Sequence, residues 1–199
     1  MKVLAVGADA VLAELDSTEE AMALYEAARA DGVEARDIVP AARTVLFDGV
    51  SHAALLWLDE HRVVGTRSHT GGSLLEIPTS YDGPDLEATA ELMGLGPHEL
   101  VDLHTSTTFQ VAFCGFSPGF AYCTGLGRSV PRLESPRPRV EPGSVALAGE
   151  FTGVYPSASP GGWRLIGRTT VKLWDTSRKD PALLSPGTTV RFVSTTIRI

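Results

Sequence analysis

Cysteine and long apolar runs are scarce in this sequence, and each scarcity excludes a class of protein. The two cysteines, Cys114 and Cys123, lack the close spacing and the thiolate-stabilising neighbours of a redox pair, so we interpret them as reduced, partly buried thiols. No apolar run approaches the roughly 20 residues that span a bilayer. The N-terminus lacks the pattern of a signal peptide. We therefore expect a cytoplasmic protein.

Positive charge is limited as well. Only three lysines occur, and none lies in the Met-Lys-Met context of a biotin-acceptor site. The formal net charge is −7 at pH 7, and the only arginine-rich stretch is PRLESPRPRV. A nucleic-acid or membrane partner is therefore not expected, and no covalent cofactor is expected on this chain.

Familiar catalytic motifs are missing from the chain. There is no G-x-x-x-x-G-K-[ST] loop, no G-x-G-x-x-G after a first strand and no G-x-S-x-G elbow. The five histidines, at positions 52, 61, 69, 98 and 104, include no pair at metal-ligand spacing. We expect no metal site in this chain.

The first eighty residues have the pattern of a small α+β domain. Ser17 and Glu20 have the spacing of a capping box that opens a helix, and a second helix is predicted over residues 51–60. With the strand SLLEIPTS as its last element, this part has the order ββαββαβ. The order predicts helices packed on one face of an antiparallel sheet.

The segment PTSYDGPD is dense in turn-forming residues and predicts a domain boundary near residues 80–84. The predicted domains are 1–80 and 81–199, the second with a helical lead-in. From Thr107 onward, short β-branched runs alternate with connectors rich in glycine and proline. This pattern favours a β-barrel or sandwich over βαβ units.

The stretch GFSPGFAYCTGLG combines turn-forming residues with aromatic rings. Its notable residues are Gly115, Phe116, Pro118, Gly119, Phe120 and Tyr122. The glycines permit tight turns, and backbone N–H groups exposed in such a loop can hold a carboxylate or phosphate oxygen. Alternatively, the rings plug one end of a barrel while the glycines let it close. Both interpretations are open at this point.

An ordered series of motifs extends from residue 104 to residue 169. It includes His104-Thr105-Ser106, Pro118-Gly119-Phe120, Pro142-Gly143-Ser144-Val145, Thr152-Gly153-Val154-Tyr155-Pro156 and Gly167-Arg168-Thr169. On these motifs the chain resembles the family of the 5-oxoprolinase B subunit. This family is also called KipI-like or allophanate hydrolase subunit 1, and it corresponds to carboxyltransferase subdomains C and D.

The resemblance implies a fold, an activity and partners. The implied fold is an α+β ferredoxin-like N-terminal domain followed by a mainly-β cyclophilin-like barrel. The implied activity is that of a hydrolase that opens L-5-oxoproline to L-glutamate with ATP, in complex with a homologue of the 5-oxoprolinase C subunit (allophanate hydrolase subunit 2) and a LamB/YcsF-type A subunit. Since this chain has no nucleotide motif, we expect ATP to be shared with, or held by, the partner subunits.

Four residues of the motif series are catalytic candidates. His104 is the candidate for proton transfer, because an imidazole titrates near neutral pH. Arg139 and Arg168 are candidates for anion stabilisation, and Glu150 is the carboxylate expected to face a pocket. The alternatives are a buried histidine with satisfied hydrogen bonds and arginines in surface ion pairs. Replacement of His104 by alanine is expected to lower turnover with little change in thermal stability.

The candidates for substrate binding are aromatic and turn-forming residues. They are Gly115, Phe116, Pro118, Gly119, Phe120, Tyr155 and Trp163. Tyr155 and Trp163 flank the stretch PSASPGGW, which resembles the earlier glycine- and proline-rich stretch in composition. Their rings could stack on a ligand or a partner, or they could be ordinary barrel core.

Other functions stay open on the sequence alone. The KipI branch implies a regulatory inhibitor of a sensor histidine kinase, and the allophanate hydrolase name implies a urea-related hydrolase or carboxyltransferase subunit. Prolyl isomerisation is suggested only by the implied cyclophilin-like fold, and fold does not determine function.

Overall fold

The computed structural model describes residues 1–61 and 74–197, without the side chains of residues 196 and 197. The chain divides into two compact units, Met1–Thr70 and Gly71–Ile199. No helix within the described residues is long and apolar enough to cross a membrane. The two units are described separately below.

The first unit is a four-stranded antiparallel sheet with two helices. Its elements are β1 (Lys2–Val6), β2 (Ala10–Glu14), α1 (Thr18–Ala30), β3 (Asp37–Pro40), β4 (Thr44–Asp48) and α2 (His52–Glu60). The strand order is β1-β2-β4-β3. The predicted arrangement of helices packed on an antiparallel sheet is confirmed for these elements.

The predicted capping box opens helix α1. The Ser17 hydroxyl accepts a hydrogen bond from the Glu20 amide at 3.2 Å, and the Glu20 carboxylate accepts one from the Asp16 amide at 3.1 Å. These bonds satisfy amides at the start of the helix that have no partner within it. The helix ends at Ala30 with Asp31 as its C-cap, and Gly32 follows with a φ of +66°.

Both helices cover the same face of this sheet. Ala13, Val45 and Phe47 point to this face and are completely buried. Leu24 of α1 and Leu58 of α2 belong to the same hydrophobic cluster. Alternation along β2 and β4 therefore places one side of each strand in the core.

The second unit is mainly β. Its elements are β5 (Leu74–Tyr81), α3 (Leu86–Leu92), α4 (Pro97–Ser106), β6 (Phe109–Cys114), β7 (Ala121–Thr124), β8 (Arg137–Val140), β9 (Ser144–Ala148), β10 (Phe151–Val154), β11 (Ser159–Gly161), β12 (Arg164–Arg168) and β13 (Thr189–Ile197). Seven strands form a closed barrel in the order β10-β7-β6-β13-β5-β12-β9. Strands β8 and β11 form a separate two-stranded sheet. The predicted fold class, an α+β unit followed by a mainly-β barrel, is confirmed.

The prediction that the strand SLLEIPTS belongs to the N-terminal domain is wrong. The sequence pattern places SLLEIPTS at the end of the N-terminal domain, but β5 pairs in parallel with β13 and antiparallel with β12. The parallel partner lies at the far end of the chain, and local patterning carries no information about such a pairing. The second unit therefore begins before residue 81.

Strand β9 is buried on both faces and separates two hydrophobic layers. Val145 and Leu147 belong to the cluster inside the barrel, whereas Ala146 and Ala148 belong to a second cluster. Since side chains of a barrel strand alternate between the interior and the exterior, the second cluster lies on the outer side of the barrel wall. Val140 of β8 joins this outer cluster.

Candidate functional site

The loop between β6 and β7, residues 115–120, is a compact turn whose amides are largely used. The Gly115 amide donates to the Phe120 carbonyl at 3.2 Å, and the Phe120 amide donates to the Ser117 carbonyl at 3.0 Å. The Ser117 amide donates to the Gly115 carbonyl at 2.8 Å. The sequence suggests that backbone N–H groups of this loop bind an anion. Three of these groups already have hydrogen-bond partners within the turn.

Gly119 has a structural role in this turn. Its φ is +85°, and a Cβ there would lie 2.9 Å from the Trp174 Cβ and 3.3 Å from the Pro156 Cβ. A larger residue would therefore meet both strain and a clash. Of the predicted substrate-binding residues, Gly115, Pro118 and Gly119 line neither of the two pockets described below.

Phe116 is held in an unusual backbone conformation at the surface. Its φ is +70°, and within the described residues no other non-glycine residue has a positive φ. Its side chain is 63% exposed, and its ring lies edge-on to those of Phe120 and Tyr155, with centroid distances of 5.5 and 6.5 Å. Such strain costs about 1–3 kcal/mol and is concentrated at ligand-binding sites.

Aromatic rings from separate parts of the second unit form one pocket. Its walls are Phe116, Phe120, Tyr122, Tyr155 and Trp163, and it is completed by Arg132 and residues 160–162. We call it the aromatic pocket. Four predicted substrate-binding residues thus come together, on the outer side of the barrel wall rather than as a plug in its end.

The size of the aromatic pocket limits its ligand. Its volume is about 160 Å³, whereas pockets for drug-sized ligands have roughly 300–1,000 Å³. The Phe120 ring packs perpendicular to that of Trp163, at a centroid distance of 5.3 Å and an interplanar angle of 89°. The pocket suits a small molecule with an apolar part.

Two arginines act on the Tyr155 hydroxyl at this pocket. Burial raises the pKa of Tyr155, and a hydrogen bond from the Trp163 backbone and the charges of Arg132 and Arg137 oppose that rise. Sequence reasoning did not single out Arg132. The available signal was its place in PRLESPRPRV, the one arginine-rich stretch of the sequence.

A partly buried ion pair holds Arg137. Its Nη2 lies 2.7 Å from Oδ1 of Asp85, whose Oδ2 accepts a hydrogen bond from the Leu165 amide, also at 2.7 Å. Arg137 lies opposite Gly161 in the pairing of β8 with β11, and Gly161 lines the pocket. Directly opposed residues point to the same face of a sheet, so Arg137 and the pocket share a side.

Arg139 has a different environment from Arg137 on the same strand. A register shift between Ser159 and Gly161 pairs these residues with Val140 and Arg137. The irregularity breaks simple alternation, so Arg137 is partly buried while Arg139, two residues further on, is exposed. Arg139 binds Glu141 at 2.6 Å through Nε. The alternative of a surface ion pair describes this arginine.

His104, the candidate for proton transfer, lies inside the barrel. It is completely buried, and its ring packs against Phe109 and Phe192 at centroid distances of 4.9 and 4.5 Å. It lines neither the aromatic pocket nor the open groove beside Arg168 that is described below. The role of His104 in proton transfer stays a prediction, and the alternative of a buried histidine with satisfied hydrogen bonds fits its surroundings.

The hydrogen bonds of His104 define its protonation. The Tyr81 hydroxyl and Nδ1 are 2.7 Å apart, and Nε2 and Oγ1 of Thr152 are 2.9 Å apart. Because Thr152 donates to the Ala146 carbonyl at 3.2 Å, it accepts from Nε2, and Nδ1 accepts from Tyr81. Burial lowers the pKa of His104 to about 3, so the ring is neutral.

The other two catalytic candidates are at the surface. Glu150 is exposed in the turn between β9 and β10 and lines neither pocket. Arg168 is 66% exposed, pairs with Asp82 at 2.7 Å and borders an open groove of about 340 Å³. The structure does not bring His104, Arg139, Glu150 and Arg168 together around one pocket.

The cysteines and the acidic side chains form no recognisable metal centre. Cys123 is buried and Cys114 half-buried, and both are free thiols. Burial raises the pKa of Cys123 to about 12, and the neighbouring Cys114 adds to this rise, which makes a reactive thiolate unfavourable. Across residues 1–61 and 74–197, no group of three His, Cys, Asp or Glu side chains could hold a metal ion. His69 lies outside the described residues.

The fold class is an α+β unit followed by a closed β-barrel, and the barrel unit has an aromatic pocket lined by Arg132. Within that class, the chain belongs to the family described as "carboxyltransferase domain, subdomain C and D", whose model matches residues 1–184. The family predicted from the motif series is confirmed.

Two curated relatives have the same name. A protein of Bacillus subtilis (strain 168), named as the B subunit of 5-oxoprolinase, is 44% identical over 125 residues, covering 60% of this chain and 52% of that protein. A protein of Escherichia coli O157:H7 with this name is 44% identical over 142 residues, covering 69% and 63%. This chain thus matches between about half and three fifths of the length of these relatives.

Solved structures share the fold. The crystal structure of TTHA0988 has a TM-score of 0.76 at 34% identity, covering 94% of this chain and 40% of that one. The conserved uncharacterized protein PH0987 from Pyrococcus horikoshii has a TM-score of 0.60 at 32% identity, covering 98% of both chains. The Kluyveromyces lactis urea carboxylase, at 19% identity, has a TM-score of 0.71 and covers 98% of this chain and 23% of that one. At that identity the likeness concerns the fold alone.

Proposed function

We propose that this chain is one component of an ATP-dependent 5-oxoprolinase, which opens L-5-oxoproline to L-glutamate. The observation that carries the proposal is the name shared by relatives that are 44% identical to the chain, each named as the B subunit of 5-oxoprolinase. The aromatic pocket supports it, because a five-membered lactam is small enough for about 160 Å³.

The chemistry of the reaction implies partners. A lactam carbonyl is a poor electrophile, so ATP must activate it, and hydrogen-bond donors must stabilise the charge that builds on its oxygen. This sequence has no nucleotide-binding motif. We therefore propose that ATP is held by, or shared with, a homologue of the 5-oxoprolinase C subunit and a LamB/YcsF-type A subunit.

The catalytic roles predicted for individual residues stay predictions. The burial and exposure of each side chain determine which of these roles the chain could perform on its own. His104 is enclosed in the barrel, and Arg139 and Glu150 are exposed outside both pockets. Arg168 borders the open groove. We propose that any direct chemistry by the exposed residues needs a partner protein to complete the site.

Coexpression of this chain with the two candidate partners tests the proposal. We expect stoichiometric copurification with the C-subunit homologue at micromolar concentration, and ATP hydrolysis that depends on 5-oxoproline and needs all three chains. Omission of this chain is the control. Separate species in size-exclusion chromatography, or an assembled complex with no 5-oxoproline-dependent hydrolysis, would contradict the proposal.

A further inference from the structure

The aromatic pocket is lined by a guanidinium group with unused hydrogen-bond donors. Arg132 lines the pocket and has no ion pair or hydrogen bond to the residues that the structure describes. A second guanidinium group, that of Arg137, binds Asp85 through Nη2. The donors of Arg132 are therefore free to bind a ligand in the pocket.

Both guanidinium groups act on the same part of the pocket. Arg137 is cross-strand from Gly161, and the absent Cβ of Gly161 would point at the Tyr155 hydroxyl, lying 2.8 Å from Cζ. The charges of Arg132 and Arg137 both reach that hydroxyl. Cations and a phenol therefore converge at one end, with aromatic rings at the other.

The local charge is opposite to that of the whole chain. The protein has a net charge of −7, yet Asp85 is the only carboxylate within the described residues that pairs with either arginine. Asp85 neutralises Arg137, and the charge of Arg132 is left uncompensated. The pocket therefore attracts an anion in spite of the negative overall charge.

We propose that the aromatic pocket binds a small cyclic carboxylate. The carboxylate accepts hydrogen bonds from Arg132, and the ring lies against Phe120 and Trp163. The planar fork of a guanidinium matches a carboxylate in geometry. A nucleoside triphosphate is several times larger than the pocket.

This inference rests on the proposed function for the identity of the natural ligand. L-5-oxoproline is a five-membered ring with a single carboxylate, so it has the required charge and size. The inference adds that this chain, and the aromatic pocket in particular, recognises the carboxylate end of the substrate.

Calorimetric titration of the intact chain tests the inference with four probes. They are L-5-oxoproline, cyclopentanecarboxylate, 2-pyrrolidinone and inorganic phosphate. We expect the two carboxylates to bind, and 2-pyrrolidinone, which has the lactam ring without the carboxylate, to bind at least about tenfold more weakly, since hydrogen bonds to charged groups contribute about 1.5–3 kcal/mol. Equal binding of 2-pyrrolidinone, or phosphate binding tighter than that of either carboxylate, would overturn the assignment.

Matched variants locate the binding. Arg132→Gln should weaken carboxylate binding at least about tenfold. Arg139→Gln, paired with Glu141 at the surface, is the control and should leave the affinity unchanged. If Arg139→Gln weakens binding as much as Arg132→Gln does, the pocket is not the site.

The outcomes separate this inference from the proposed function. Carboxylate binding in the pocket, together with an assembled complex that lacks 5-oxoproline-dependent ATP hydrolysis, would support the inference and reject the function. An active complex whose KM for 5-oxoproline is unchanged by Arg132→Gln would support the function and overturn the inference.

Discussion

Two regions of the barrel unit surround polar groups with aromatic rings, and they differ in what the fold leaves unpaired. Inside the barrel, His104 lies against Phe109 and Phe192, and both of its ring nitrogens have partners. Outside the barrel wall, Arg132 and Nη1 of Arg137 have donors without partners among the described residues. A neutral, fully paired group stabilises a fold, whereas a cation with free donors can hold a ligand.

This difference shows that residue type alone is a weak guide to function. Histidine ranks first for chemistry at neutral pH, yet here its imidazole is enclosed and its pKa is lowered to about 3. Phe120, Tyr155 and Trp163 belong to the buried outer cluster and at the same time line the aromatic pocket. Access to solvent and unused donors decide between the two regions.

The largest expected effect follows from removal of β5, which closes the barrel around His104. We propose that the second unit is an independent domain, and we expect a fragment of residues 71–199 to fold. A fragment of residues 81–199, the domain predicted from sequence, should not fold, because it loses the strand between β13 and β12. Circular dichroism melting of both fragments measures this. A cooperative transition at the same temperature for both would contradict it.

Replacement of His104 by alanine should destabilise the protein strongly. It leaves the Tyr81 and Thr152 hydroxyls without this partner and creates a cavity, at a cost of about 3–5 kcal/mol. The sequence alone leads to the opposite expectation, little change in thermal stability, and the measurement decides between the two. Urea denaturation is the measurement, with His98→Ala, on an exposed position of the same helix, as the control that should change by less than about 0.5 kcal/mol. Wild-type stability of His104→Ala would contradict the buried network.

The pH dependence of stability should also show that the His104 imidazole is buried. Burial lowers the pKa of His104 from 6.5 to about 3, so between these values the unfolded state binds a proton that the folded state does not. Unfolding is therefore favoured as pH falls, by about 1.4 kcal/mol per pH unit. Denaturation from pH 7 to pH 4 should give a steeper loss for the wild type than for His104→Ala. Parallel curves would indicate that solvent reaches the imidazole.

The smallest expected effect is a difference in stability between alanine variants of two adjacent glycines at the aromatic pocket. A methyl group at Gly161 would overlap the Tyr155 ring, whereas at Gly162 its nearest neighbour is the Pro136 Cβ at 3.6 Å, an ordinary contact. Gly161→Ala should destabilise by about 1–3 kcal/mol because it overpacks the pocket, and Gly162→Ala by less. Thermal denaturation of the two variants compares them. Equal stability would mean that the Tyr155 ring is free to move away.

Local features of the fold were predictable because they depend on residues a few positions apart. The capping box of Ser17 and Glu20 acts across a single helical turn, and its hydrogen bond is present. The family was likewise predictable, since its motifs are fixed strings of residues. Four aromatic residues of the pocket were selected for their place in glycine- and proline-rich stretches, and they do come together.

Features that depend on distant pairing were not predictable. Alternation along β8 predicts that Arg137 and Arg139 point to the same side, and the irregular pairing with β11 separates them. The pattern SLLEIPTS contains no sign that its partner is the last strand. Arg132 is exposed, and only the folded loop shows that it borders a ring of aromatic residues.

The sequence by itself determined the family, the order of helices and strands in most of the chain, and the kinds of residue available to a site. Those properties are carried by local backbone preferences and short motifs. The tertiary structure alone decided that β5 belongs to the barrel, that His104 is enclosed and that Arg137 binds Asp85 while Arg139 stays at the surface with Glu141. The reason is physical: burial and pairing are set by contacts between segments far apart in the chain, and those contacts determine which polar groups are satisfied and which remain free to bind.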